Sequence, residues 1–302
     1  MIKGRFAPSP SGRMHLGNIY AALMSWLSVR KQNGSWLLRI EDLDRQRCRP
    51  EYAEMLMDDL RWLGLVWDEG GSESYFQSRR DQVYKEVFSR LDDMGLVYDC
   101  FCRRADLLAS SAPHASDGRP VYSGKCRNLT EEEKNLLLQK GPPAKRIRLE
   151  DRQSSFTDGH YGLVSCSLLH DCGDFILRRA DGNFSYQLAV VADDALMGVT
   201  EVVRGRDLLS STHQQLYLYE KLGYPAPDFF HLPLLVSADG RRLSKRDRDC
   251  DMAFLRSHFT PQKITGHLMF LCGFIDRDEA LSLDEAVSLF SWDRLPQEDI
   301  RI

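Results

Sequence analysis

With 302 residues, 43% of them hydrophobic, the chain is long enough to bury a large core and to divide into about two domains. Its formal net charge of −4 excludes a generally basic nucleic-acid binder, so any RNA contact has to come from local basic patches. No apolar run approaches the roughly 18 residues that a membrane span needs, and the opening Met-Ile-Lys-Gly-Arg lacks a secretory-signal pattern, so a cytoplasmic protein without membrane contact is expected.

Residues 1–6 suffice for one strand, and residues 19–27 are a strong helix-forming run. Between and around them, residues 5–18 read Arg-Phe-Ala-Pro-Ser-Pro-Ser-Gly-Arg-Met-His-Leu-Gly-Asn. Pro8 and Pro10 fix φ and remove amide donors, while Ser11-Gly12 and Gly17 let backbone approach a ligand closely. Free amides at the start of the helix favour an anion. Arg13 and His15 add side-chain donors, and Gly17 leaves a Cβ-free surface for a flat base. The stretch fits a turn that holds phosphates, and equally a proline-rich turn ahead of a core helix. Residues 35–40 predict a buried strand that ends in Glu41-Asp42-Leu43-Asp44. Strand, helix, strand implies a parallel pair, which puts Glu41 on the same carboxyl rim as the first loop, where it can pair with an amino group. Asp42 and Asp44 also fit as turn or capping residues.

Residues 50–63 and 77–94 predict two amphipathic helices, the second ended by Gly95. Eight cysteines scattered through so long a chain indicate thiols or metal ligands rather than a disulfide framework. Cys100, Cys102 and Cys126 have a spacing that suggests zinc, which takes four ligands in a tetrahedron. Asp99, His114 and Tyr122 are all open as the fourth ligand, and Tyr122 lies four residues before Cys126. Three ordinary buried cysteines are the other reading. A helix starting at Thr130 is broken by residues 141–143, and residues 145–149 then alternate as a strand should. Lys145, Arg146, Arg148 and Arg152 give this ribbon a basic face, either simply solvated or able to track phosphates.

Residues 175–186 predict a strand, an Asp-Gly-Asn turn and the start of a helix, whose apolar run closes on Asp193 and Asp194. Residues 201–207 predict a strand that carries Arg204 to the rim, where a planar guanidinium can clamp two carboxylate or phosphate oxygens. Ser211 or Thr212 should cap the next helix, which runs to Gly223, and residues 231–236 predict a further strand. A second basic patch, residues 239–248, normally reads as a solvated loop, and residues 252–302 read as a small helical tail.

Taken together these blocks resemble the class I glutamyl-tRNA synthetases over nearly the whole chain. Residues 5–12 with His15-Leu16-Gly17-Asn18 resemble the first family signature, and residues 40–44 and 204–208 resemble two more blocks. Arg242-Leu243-Ser244-Lys245-Arg246 resembles the second signature loop, normally Lys-Met-Ser-Lys-Ser, with departures at Arg242 and Arg246 that keep or add a cation. The resemblance implies an α/β fold: a Rossmann-like parallel sheet with a zinc-bearing insertion and a small helical C-terminal region that contacts an RNA stem. It divides the chain into a catalytic domain at 1–98 and 166–236, an insertion at 99–165, and the signature loop with the helical region at 237–302.

The resemblance further implies His15, Gly17 and Lys245 as catalytic residues and His15, Gly17, Asn18, Ser244 and Lys245 as the ATP site, with magnesium accompanying ATP. It implies Arg5, Ala7, Ser9, Glu41, Tyr186 and Arg204 around L-glutamate, and Cys100, Cys102, Tyr122 and Cys126 around a structural Zn2+. Full-length members continue into a helical anticodon-binding domain, whereas this sequence ends at Ile302. No such domain is therefore expected, and the shorter glutamyl-Q tRNA(Asp) synthetases become the nearer branch. Members of that branch activate glutamate and attach it to queuosine in the anticodon of tRNA(Asp), and a monomer is expected. The competing readings are a truncated synthetase that charges the 3′ end of tRNA(Glu) and a non-catalytic glutamate or ATP sensor.

Overall fold

The computed structural model describes residues 1–103, 121–238, 240 and 251–302. In chain order its main elements are β1 (Lys3–Phe6), α1 (Leu16–Lys31), β2 (Ser35–Leu38), α2 (Pro50–Trp62), β3 (Glu69–Gly70), α3 (Asp81–Asp93), β4 (Val97–Cys100), α4 (Glu131–Leu138), β5 (Ala144–Ile147), β6 (Gln153–Asp158), β7 (Gly162–Ser167) and β8 (Ile176–Arg178). The second half adds α5 (Tyr186–Leu196), β9 (Glu201–Gly205), α6 (Ser211–Leu222), β10 (Asp228–Leu232), β11 (Leu235–Val236), α7 (Met252–His258), α8 (Pro261–Leu271), α9 (Leu283–Leu289) and β12 (Ile300–Arg301).

Five strands form one parallel sheet in the order β10-β9-β1-β2-β3. Chain order runs outward from β1 through β2 to β3 on one side and through β9 to β10 on the other, so the sheet reverses between β1 and β9. In such sheets the crevice outside the carboxyl ends at the reversal is where ligands bind. That crevice is where the ends of β1 and β9 deliver Arg5 and Arg204. The apolar run of β2 is buried, with Trp36 stacked on Phe6 of β1 at 6.0 Å between ring centroids. One core packs α1 and α2 against the sheet together with α8 and α9, and a second joins α3, α5 and α6.

The expected strands and helices appear, with five differences, the first being that the helix expected at 77–94 opens as a 3-10 turn, Gln77–Arg79, before α3 begins at Asp81. The turn at residues 68–72 includes a short edge strand, β3, where Gly70 sits at φ 97° and a Cβ would meet the Leu38 carbonyl at 2.0 Å. Ser211 and Thr212 lie inside α6, whose N-cap is Ser210, and the Thr212 hydroxyl accepts from Arg204 instead of capping the helix. The strand expected at 231–236 starts at Asp228 and is broken at Pro233, which has no amide to donate. The tail is helical in α7 to α9, but it ends in β12, paired in parallel with β11.

The insertion is a three-stranded antiparallel sheet, β4-β5-β8, beside the hairpin β6-β7. The expected boundaries at 98/99 and 165/166 fall within β4 and β7. Among the described residues no helix is long and apolar enough to cross a membrane.

Candidate active site

The loop after β1 is fixed by backbone bonds to the segment between β2 and α2: Glu41 N donates to Pro8 O and Arg49 N to Pro10 O. It ends at His15, the N-cap of α1. His15 Nδ1 accepts from Gly17 N at 3.1 Å, and Asn18 Oδ1 accepts from His15 N at 3.1 Å, a reciprocal capping box. With Nδ1 accepting, the neutral ring carries its proton on Nε2 and is set up as a donor there. Gly17 has a more specific role than leaving room for a base: a Cβ there would come within 3.1 Å of His15 Cε1 and push the ring. Of the residues that sequence placed at the site, Arg5, Ala7, Ser9, His15, Gly17, Asn18, Glu41, Tyr186 and Arg204 all line one cavity of about 530 Å3. Ser244 and Lys245 lie outside the described residues. Asp251, just beyond them, pairs with His15 as a backbone bridge, and Met252 N donates to Met14 O.

A buried ion network lies beneath the cavity. Arg39, fully buried on leaving β2, donates to Asp194 Oδ1 at 2.5 Å and to Glu41 Oε1 at 3.0 Å. Asp194 also takes Arg5 Nε at 3.5 Å. Its neighbour Asp193 receives Arg80, Gln77 and Tyr84. Burial pushes the Glu41 carboxyl up, with Arg39 opposing it. Burial acts the same way on Asp194, but Arg39 and Arg5 outweigh it and hold that carboxyl below its ordinary value. Burial, then the Glu41 carboxylate, pushes the Tyr186 phenol up, which keeps it a neutral donor.

Arg204 is held by a second chain of hydrogen bonds. Its Nε donates to His231 Nε2 at 3.0 Å, its Nη1 to Gln215 Oε1 at 2.8 Å and its Nη2 to Thr212 Oγ1 at 2.8 Å. His231 Nδ1 lies 2.6 Å from Asp158 Oδ2, so the ring donates to Asp158 and accepts from Arg204. Burial, against the Asp158 hydrogen bond, lowers His231 to about 4 and keeps it neutral. Most of the Arg204 fork is thus engaged by protein. Arg5, which bonds Asp194 through Nε and the Val203 carbonyl through Nη1, keeps more N–H directions for a ligand, so the clamp expected of Arg204 belongs more naturally to Arg5.

The network residues Arg39, Asp193, Asp194, Asp158 and His231 were not singled out from sequence as site residues. One signal was present: Arg39 is a lone charge inside the apolar run 36–40, and Asp193 and Asp194 end the apolar run of α5, places where charge is stable only if paired.

Cys100 and Cys102 stand close together at the end of β4, and Cys126 approaches from the turn after residue 121. Their ligand atoms lie within 4.8 Å of one another, with Cys102 and Cys126 Sγ 3.6 Å apart. Thiolates on one tetrahedral zinc stand about 3.8 Å apart, given Zn–S bonds of about 2.3 Å, so this donor set fits that ion. The Tyr122 hydroxyl accepts from Cys126 N at 2.8 Å and from Cys100 Sγ at 3.5 Å. Arg146 donates to Cys100 Sγ at 3.1 Å and lies over the Tyr122 ring, which offsets thiolate charge. Asp99 instead faces Lys145 at 2.6 Å, and His114 lies outside the described residues. Of the two readings of the basic ribbon, the structure does not favour the phosphate track: Arg146 is buried on Cys100, Lys145 is paired with Asp99, and Arg152 is paired with Glu150 and Glu220.

A family model described as tRNA synthetases class I (E and Q), catalytic domain, matches residues 1–298. The glutamyl-Q tRNA(Asp) synthetase of Symbiobacterium thermophilum is 47% identical over all of this chain and 96% of that protein. That of Nitratidesulfovibrio vulgaris is 47% identical over 98% of this chain and 94% of that protein. Among solved structures, the glutamate tRNA ligase of Elizabethkingia meningosepticum in complex with its amino acid superposes with a TM-score of 0.82 at 30% identity, over 99% of this chain and 66% of that one.

Proposed function

From the premise that the chain belongs to the class I tRNA synthetases of the E and Q group, we propose that it activates L-glutamate with ATP and transfers it to queuosine in the anticodon of tRNA(Asp). The observation that carries the reading is the charge of the cavity. Of the buried charged side chains that line the cavity, Arg5 and Arg204 bring two guanidiniums and Glu41 one carboxylate, which leaves one positive charge in excess. An amino acid with two carboxylates and one ammonium matches that excess. Glu41 takes the ammonium, Arg5 the side-chain carboxylate, and Ala7, Ser9, Tyr186 and Arg204 close the pocket.

The glutamate α-carboxylate then attacks the α-phosphorus of ATP, the bond to the β-phosphate breaks, and pyrophosphate leaves with its magnesium. Catalysis here needs alignment and positive charge more than a protein nucleophile. His15 Nε2, the α1 amides around Gly17 and Asn18, and the segment carrying Ser244 and Lys245 supply them. The described flank of that segment at Asp251 adjoins His15, which supports placing Lys245 there. A hydroxyl of the queuosine ring attacks the glutamyl carbonyl, and AMP leaves. Zinc held by Cys100, Cys102 and Cys126, with Tyr122 as fourth ligand, would fix the insertion structurally. On this reading the protein acts as a cytoplasmic monomer.

The choice of acceptor is supported by relatives of that name, matched over nearly their whole length. Labelled glutamate, ATP and tRNA(Asp) with or without queuosine test it. Label only on the queuosine-bearing tRNA is expected. Equal label on tRNA lacking queuosine, or label on the 3′ end of tRNA(Glu), rejects it in favour of 3′-end charging.

A further inference from the structure

A cavity of about 620 Å3 adjoining Tyr186 holds a second thiol cluster that the reaction does not use. Cys166 lies on β7, and the π-helical turn Leu168–Cys172 folds back so that the two Sγ atoms are 3.7 Å apart. Both cysteines are half-buried, and both line the cavity. His213 of α6 lines it too. Its Nδ1 is 3.0 Å from Ser154 Oγ, while its buried Nε2 has no hydrogen bond of ordinary geometry among the described residues.

We propose that Cys166 and Cys172 are a reversible oxidation site, converted to a disulfide by a peroxide, and that the pocket around Arg204 senses its state. The Cys166 thiolate attacks one peroxide oxygen, the O–O bond breaks, and the departing oxygen leaves as hydroxide or alkoxide and is protonated by water. The sulfur becomes a sulfenic acid. Cys172 sulfur then attacks it, losing its proton; the S–O bond breaks, the S–S bond forms, and water leaves. A dithiol restores the pair. The hydrogen bond from Cys172, reinforced by the His213 imidazole and opposed by burial and Asp171, lowers Cys166 to about 5, so the nucleophile is present as thiolate.

The pair is joined to Arg204 by a continuous run of amide hydrogen bonds. Gln214 Nε2 donates to the Cys172 carbonyl at 3.4 Å, and Gln187 Nε2 donates to Gln214 Oε1 at 2.8 Å. Gln215 Nε2 then donates to Gln187 Oε1 at 2.8 Å, and Gln215 Oε1 accepts from Arg204 at 2.8 Å. A disulfide bond is about 2.05 Å long, so closing the gap moves the turn that carries the Cys172 carbonyl, and the run transmits the change. This sensing rests on the glutamate-pocket reading; the oxidation itself does not.

The test treats the full, zinc-supplied chain with one equivalent of hydrogen peroxide, alkylates the remaining thiols and maps the tryptic peptide 153–178, which holds both cysteines and is cleaved only at its ends. Expected is a peptide lighter by two hydrogens, unalkylated, and returned to two alkylatable thiols by dithiothreitol. In Cys172→Ser, Cys166 should instead be trapped by dimedone. Two alkylated cysteines after peroxide, or oxidation of Cys166 without a bond to Cys172, overturns the site. In the exchange assay, oxidation should raise the KM for glutamate about fivefold, reversibly, and not in Cys172→Ser. An unchanged KM with the disulfide formed overturns the sensing. No glutamate-dependent exchange in the reduced protein would instead reject the proposed function, and leave the disulfide mapping standing.

Discussion

The cavity at the sheet reversal and the three-cysteine unit at the end of β4 both gather residues distant in sequence, yet different forces hold them. Around and beneath the cavity, charges are paired within the protein, with Arg39, Asp194, Arg5 and Glu41 buried on one another, and only the Arg204 charge is left over for a ligand among these and the buried lining residues. In the cysteine unit soft donors crowd together, and burial with the neighbouring Cys100 and Cys126 thiols pushes Cys102 up to about 12. That group gains from an external cation. One site is therefore assembled by folding, and the other is completed by a metal.

The difference can be broken from either side. Arg39→Met leaves Asp194 and Glu41 without their buried partner and should cost about 3–5 kcal/mol in urea unfolding; a loss below about 1 kcal/mol would show that the network does not hold the cavity. Acid should attack the cavity through His231. The folded state keeps this ring neutral down to about pH 4, whereas an unfolded histidine takes its proton near 6.5. The unfolded chain therefore binds more protons in that window, and stability should fall by up to about 3 kcal/mol as pH drops from 6.5 to 4. Asp158, held below its ordinary value by His231 against burial, pulls in the same direction at lower pH. His231→Gln should flatten the His231 part of the slope, as read by denaturant titrations across pH.

On the cysteine side, Cys102→Ser should abolish retention of about one zinc per chain and lower stability by about 2 kcal/mol. It should leave the KM for glutamate within about threefold, and a larger shift would mean that the two regions are not independent. Gly17→Ala, which pushes the His15 ring, should lower kcat for adenylate formation about tenfold, near 1.4 kcal/mol, with little change in KM for glutamate. The smallest effect belongs to the half-exposed pair of Lys145 with Asp99: Lys145→Ala should change stability by no more than about 0.5 kcal/mol and weaken tRNA binding less than twofold, since its charge is already paired.

The parallel sheet was legible because β1, α1 and β2 announce themselves by composition, and a strand–helix–strand order admits few topologies. The rim was legible for the same reason: Arg5, Glu41 and Arg204 stand at strand ends. The ion network was not, because periodicity reports which face is apolar and not which charges meet beneath it. Arg39 and Asp194 are 155 positions apart and become partners only once β1 and β9 pair. The basic ribbon misled in the opposite direction, since a strand bearing Lys145 and Arg146 looks outward until Cys100 and Asp99 are brought against it. The β12 pairing was hidden because a two-residue strand has no period to read.

The central claim, that one excess positive charge in the buried lining of the cavity selects glutamate, is tested most directly by ATP–pyrophosphate exchange with L-glutamate and with L-glutamine as the alternative substrate, the tRNA being supplied to both. A preference for glutamate of about a hundredfold or more in kcat/KM is expected, because glutamine would leave that charge unmatched. Comparable exchange with the two amino acids would contradict it.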